Sequence, residues 1–182
     1  KMTDKVTLFD KTFVPYISND ELEAAIDKVA ERINADYSNC EKAPVFLCVL
    51  NGAMMFTSAI MKRCNFNAEL MSIKMTSYVG TQSTGKVKVP MGLTGDINGK
   101  DIIIIEDIVD TGNTIVELRR ILLEKGAASV KICTMLMKPE VYKQTLKLDY
   151  VAMEIENRFI VGYGLDYDEL GRNLKDIYIL EK

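Results

Sequence analysis

Residues 102–114 read IIIIEDIVDTGNT. Four isoleucines run straight into two acids, Glu106 and Asp107. Two more apolar residues lead to a third acid, Asp110, and a short turn of Thr, Gly and Asn. A β-branched run of this kind predicts a strand that is apolar on both faces, as the central strands of parallel sheets are. Acids at its end are costly to bury without partners, yet in open parallel sheets ligands bind beyond the carboxyl ends of the strands. For an isolated acidic pair the plain reading is a solvated pair or a helix cap. The next residues argue otherwise. The hydroxyls of Thr111 and Thr114 and the backbone amides of the 110–114 turn, Asn113 included, can donate to one anion. Gly112 lets a ligand approach the backbone, and the start of the following helix adds its dipole. A phosphate cradle therefore stands within a few residues of two carboxylates. Phosphate and carboxylate repel unless a sugar or a divalent cation lies between them. A phosphorylated ribose carrying further phosphates is a ligand that needs both.

Outward from this stretch, strands and helices alternate. Ser18 and Glu21 have capping-box spacing, and Leu22, Ile26, Val29 and Ile33 then share one helical face. Residues 44–50 read as a buried strand, 53–63 as a helix and 66–78 as a strand. The polar, Gly-bearing stretch 79–86 predicts a mobile loop. Residues 87–90 predict a short strand and 96–100 a turn. A helix over 114–125 follows, ended by Gly126. Strands are expected at 130–137, 150–155 and 177–180. This order implies an α/β fold, a central, mostly parallel twisted sheet flanked by helices. No linker splits the chain, so residues 2–182 read as one domain. Lys1 ahead of Met2 reads as a remnant of expression and is set aside.

Composition narrows the chemistry. The 182 residues include 23 basic and 26 acidic side chains, a net charge of −3, which gives no electrostatic argument for nucleic acid. No run is long enough to span a membrane, and the N-terminus shows no secretory pattern. Cys40, Cys48, Cys64 and Cys133 lack C-x-x-C spacing and read as reduced and structural, as in a cytoplasmic protein. There is no histidine, so acid–base work falls to carboxylates, Lys, Tyr or Cys. The ten methionines read as core filler. Residues 80–86 have P-loop spacing, but Val87 stands where Ser or Thr should hold Mg²⁺ and a strand is expected where a helix should begin.

The long pattern of 102–114 resembles the phosphoribosyl-pyrophosphate (PRPP) motif of type I phosphoribosyltransferases, and most of the chain is similar to the hypoxanthine-guanine members. Asn51-Gly52 stands in the place of the pyrophosphate-binding loop. Ser77-Tyr78 and then Ser83-Thr84-Gly85 look like the mobile loop over the site. Met137-Lys138-Pro139 matches the segment that meets the purine 6-oxo group, residues 158–167 the base-stacking and metal-associated segment, and Arg172 an arginine directed at pyrophosphate. The resemblance implies a type I fold with a small hood formed by terminal segments. It also implies transfer of phosphoribosyl from PRPP to purine N9, with Mg²⁺, two ions being expected.

In that scheme Glu106 and Asp107 hold ribose and, with Asp166, the metal. Residues Asp110, Thr111, Gly112, Asn113 and Thr114 hold the 5′-phosphate, while Asn51, Gly52 and Arg172 meet pyrophosphate. Lys138, Phe159, Ile160 and Asp166 form the purine side, and Asp110 is the acid/base. Each of Lys138, Phe159, Asp166 and Arg172 taken alone would be an ordinary surface or core residue; the segment gives it meaning. One departure stands out: the family usually has Lys where this chain has Asn51. Its backbone share, through a non-proline cis peptide, could survive. The expected partners are PRPP and a 6-oxopurine, with a homodimer or homotetramer as the assembly. The rivals are an RNA-binding regulator on the same fold, which Asp110 and the acidic balance oppose, and an enzyme for xanthine or adenine. Adenine would set an amino group against Lys138.

Overall fold

The computed structural model describes residues 4–75, 93 and 95–182. The elements in these residues are β1 (Val6–Leu8), β2 (Lys11–Ile17), α1 (Asn19–Tyr37), β3 (Val45–Leu50), α2 (Met54–Arg63), β4 (Glu69–Lys74), β5 (Asp101–Val109), α3 (Asn113–Glu124), β6 (Ser129–Met137), β7 (Tyr150–Glu154), β8 (Ile160–Val161) and β9 (Ile177–Leu180). Ser77 and Tyr78, the 79–86 loop and the 87–90 strand fall outside the described residues.

Five strands form a parallel sheet in the order β4-β3-β5-β6-β7, with β5 at its centre. All four isoleucines of the opening stretch are fully buried. Ile103 and Ile105 join the core beneath α1 and α2, while Ile102 and Ile104 join the one beneath α3. That division explains the unbroken run: each face of the sheet takes alternate residues. Each such burial is worth about 1.5–3 kcal/mol. On α1 the capping box between Ser18 and Glu21 is formed, and Leu22, Ile26, Val29 and Ile33 are buried.

A second sheet, β1-β2-β9-β8, is antiparallel. It is the hood expected from terminal segments, closed around Phe13, Val161 and Tyr178. Its strands β1, β2 and β8 are too short or too mixed in pattern to stand out by periodicity.

Two expectations need correction. The central strand does not stop before the acids but runs to Val109, because β6 stays paired with it as far as Val109↔Met137. Its pairing with β3 ends at Cys48↔Ile105. Glu106 and Asp107 are thus strand residues, flanked on the β3 side by the opening where that chain turns away. The methionines are not all core: Met135 is buried, but Met54 and Met55 at the start of α2 are exposed.

Candidate active site

The turn after β5 and the start of α3 enclose an open pocket of about 310 Å³, lined by Glu106 and residues 108–115. Gly112 is the N-cap of α3, with φ +82° in the left-handed region that glycine adopts without strain. No side chain caps this helix, and its first turn carries no acid. The free N–H groups of that turn, with the aligned helix dipole, make a site for an anion. Asp110, Thr111, Asn113 and Thr114 all line the pocket, so the structure brings the whole expected cradle together.

The two acids divide. Glu106 is almost wholly buried yet lines the pocket. Burial, with the neighbouring Asp107 charge, raises its carboxyl well above the usual range. Asp107 does not line the pocket; its Oδ1 accepts from the Ile108 N–H at 2.8 Å. A Cβ placed on Gly52 would lie 1.8 Å from its Oδ2, so the carboxylate is packed against the 51–53 turn. Burial raises Asp107 as well, opposed by the Ile108 N–H and by the charge of Arg172. Two adjacent buried carboxylates without a full complement of cations are suited to hydroxyl donors or a hard cation.

The Leu50–Asn51 peptide is cis. Behind this turn lies Gly164, whose Cβ, if it had one, would be 2.1 Å from the Gly52 carbonyl oxygen. Arg172 holds that corner: its Nη1 donates to the Gly164 carbonyl at 2.8 Å and its Nη2 lies 3.2 Å from Asp166 Oδ1. Its buried Nε finds no hydrogen-bond partner among the described residues. Asn51, Gly52, Asp107, Asp166 and Arg172 therefore form a second corner of the site. Among the described residues no three acidic or thiol side chains converge into a ready metal cluster.

The third corner is built by the segment after β6. The Lys138 N–H donates to the Val109 carbonyl at 3.1 Å, which continues the β5–β6 ladder. This carries the largely buried Lys138 side chain to Asp110, Nζ to Oδ1, at 3.0 Å. Phe159 leaves 42% of its surface exposed, with its ring propped by Phe13 and Tyr167 at centroid distances of 5.8 and 5.7 Å. Ile160 is buried in β8, paired with Ile179.

Sequence patterns did not point to Tyr142 or Gln144, which back the cradle from behind. A Cβ on Gly112 would meet the Tyr142 ring at 2.5 Å and Gln144 Cγ at 2.7 Å. These residues lie in an aperiodic connection, and the only hint of them was a glycine that needs room.

An open pocket at a helix N-terminus, at the carboxyl end of a central parallel strand and beside buried acids, is suited to an anionic ligand such as a phosphate. The phosphoribosyl transferase domain family matches residues 17–168, and the chain belongs to that family. Its curated relatives include the hypoxanthine-guanine phosphoribosyltransferases of Streptococcus pneumoniae, 38% identical over 91% of this chain and 92% of the relative, and of Streptococcus pyogenes, 39% identical over 92% of each. Among solved structures, a Staphylococcus aureus hypoxanthine phosphoribosyltransferase superposes with a TM-score of 0.84 at 34% identity, covering 92% of this chain and 90% of the other. The Trypanosoma cruzi hypoxanthine phosphoribosyl transferase gives 0.86 at 31% identity, covering 97% and 95%. Within its family the chain stands among these hypoxanthine-guanine enzymes of purine salvage. No helix in the described residues is long and apolar enough to cross a membrane.

Proposed function

We propose that the protein transfers the 5-phosphoribosyl group of PRPP to N9 of hypoxanthine or guanine, with Mg²⁺, giving IMP or GMP and pyrophosphate. The observation that carries this reading is the 3.0 Å pairing of Lys138 Nζ with Asp110 Oδ1 at the rim of the phosphate pocket. A 6-oxopurine presents N7 and O6 side by side on one edge. An acceptor and a donor held together in this way match an N7–H and an O6.

The chain's part in the reaction follows. The 110–114 turn holds the 5′-phosphate and fixes the ribose, which supplies orientation. Purine N9 bonds to C1′ as the C1′–O bond to pyrophosphate breaks, and the N7 proton passes to Asp110. Positive charge develops on the ribose ring, and Asp110, with Glu106 and Asp107 once hydroxyl donors or a cation offset the burial that favours their neutral forms, would supply a negative field around it. Lys138 donates to O6, Phe159 stacks on the base, and the Ile160 backbone meets its Watson–Crick edge. Asn51, Gly52 and Arg172 receive pyrophosphate.

The carboxylate donors suit Mg²⁺: Glu106 lines the cradle pocket, while Asp107 and Asp166, the latter expected on the purine side, stand at the corner of Gly52 and Arg172. Mg²⁺ would neutralise the departing pyrophosphate. Because no three acids converge among the described residues, its remaining ligands would come from pyrophosphate and water.

A homodimer or homotetramer is part of this reading. Sedimentation of the purified protein tests it. A cytoplasmic location accords with four unpaired cysteines; fractionation of the source cells checks it.

The test of the reaction is nucleotide formation from PRPP and Mg²⁺ with hypoxanthine, guanine, xanthine and adenine in parallel. Turnover of hypoxanthine or guanine but not adenine is expected. PRPP binding without turnover of any base would overturn the assignment.

A further inference from the structure

The connection between β6 and β7 does more than carry Lys138. Gln144 reaches back beneath the cradle, where its Nε2 lies 3.2 Å from the Thr111 carbonyl and 2.7 Å from Asn113 Oδ1. The Lys143 N–H donates to the same Thr111 carbonyl at 3.2 Å. A backbone carbonyl can only accept, so the group that Gln144 turns toward it must be its NH₂. That one nitrogen also faces Asn113. The Asn113 atom that meets it must then be the carbonyl oxygen, since two amide nitrogens would set donor against donor. Both Nε2 protons of Gln144 are thereby used. The Asn113 oxygen is thereby engaged, and the NH₂ of Asn113, on a residue that lines the pocket, is left as the free end of the amide.

From this we infer that Gln144 is a positioning residue for the 5′-phosphate: it fixes the orientation of the Asn113 amide so that a donor, never an acceptor, meets the anion. The inference rests on the cradle holding phosphate, as in the proposed function. An unrestrained Asn113 side chain could rotate its oxygen toward the phosphate, and two acceptors repel. Gln144 removes that choice before the ligand arrives, which is preorganisation of the binding site. The device is local to the phosphate. Among the described residues the Gln144 amide bonds to Thr111 and Asn113 and not to Lys138 at the purine corner.

The experiment compares wild type, Gln144→Met, Gln144→Glu, Asn113→Ala and the Asn113→Ala/Gln144→Met double variant. The probe is PRPP with Mg²⁺, measured by isothermal titration and by steady-state kinetics. Thermal unfolding of each variant separates folding from binding. Gln144→Met is expected to weaken PRPP three- to tenfold, roughly the loss of one ordinary hydrogen bond. The KM for hypoxanthine should stay unchanged. Gln144→Glu would accept from the Asn113 NH₂ and turn its oxygen outward, so a larger loss, about ten- to a hundredfold, is expected, on the scale of a bond to a charged group. In the Asn113→Ala background Gln144→Met should add little. Undiminished PRPP affinity in Gln144→Met, or an equal loss with and without Asn113, would overturn the inference. If wild type itself binds no PRPP, the phosphate assignment of the cradle falls, and the role of Gln144 falls with it.

Discussion

The side chains of Lys138 and Asp110 meet at 3.0 Å, although one is largely buried and the other more than half exposed. They directly follow different strands, β5 and β6, and the backbone bond from Lys138 N–H to the Val109 carbonyl brings them together. An ammonium has three donors, so Lys138 can keep Asp110 and still reach a purine oxygen. In the proposed reaction the pair would act as one recognition unit.

Asp110→Asn keeps the shape of the unit and removes the proton acceptor. A fall in kcat of about 10²–10⁴ is expected, the scale of general acid–base catalysis, with PRPP affinity largely retained. Steady-state kinetics with a parallel PRPP titration check it. Unchanged turnover would remove Asp110 from its role.

Lys138→Met should raise the KM for hypoxanthine about ten- to a hundredfold, the scale of a lost charged hydrogen bond. The KM for PRPP should be little changed. Discrimination against adenine should weaken, since the donor that opposes its amino group is gone. A competition assay with both bases reads this directly.

Gly112→Leu should abolish PRPP binding, measured by isothermal titration. The structure changes the reason for this. The obstacle lies behind the turn, where Tyr142 and Gln144 leave no space for a Cβ, and the φ of +82° adds about 1–3 kcal/mol of strain for a side chain. Even Gly112→Ala should therefore lower both PRPP affinity and thermal stability. A normal PRPP affinity would mean that the phosphate site lies elsewhere.

The capping box of α1 gives a pH signature. The Ser18 backbone N–H and hydroxyl both bond to Glu21 Oε2, and these bonds hold the Glu21 carboxyl below its ordinary value of 4.5. A carboxyl depressed in the folded state binds fewer protons there than in the unfolded chain, so its stabilisation is complete above the ordinary value. It is lost as pH falls from about that value through the folded one. Glu21→Gln should flatten this part of the stability curve and leave the neutral range unaffected. Chemical denaturation between pH 3 and 7 measures the difference.

Much of this was legible in the residues. Ile102 to Ile105 announced a central strand, because only such a strand tolerates four consecutive apolar side chains. The Asp-Thr-Gly-Asn-Thr turn pointed to an anion site, and the structure places an open pocket there at the start of α3, which no side chain caps. Ser18 and Glu21 marked the start of α1 by local chemistry alone. Other features depend on contacts between distant segments. The orientation of Asp107 toward Gly52 follows from where β3 ends its pairing with β5. The roles of Tyr142 and Gln144 follow from how one connection folds back on another. Val6–Leu8 and Ile160–Val161 are strands because of their neighbours in the hood, since neither carries enough residues to show a period.

The pairing of β2 with β9 in the hood has a consequence for how the protein is made. Phe13 has no exposure in the finished molecule, yet its partner in β9, Leu180, is synthesised long after it. The five-stranded sheet can assemble on the ribosome beforehand, since β3 to β7 all precede β9. Until β9 emerges, the early β1–β2 hairpin carries an unpaired edge and an uncovered aromatic face, the features that make partly folded chains stick to one another. Nascent chains arrested before residue 177 should bind chaperones through the β1–β2 hairpin, and emergence of β9 should end that binding.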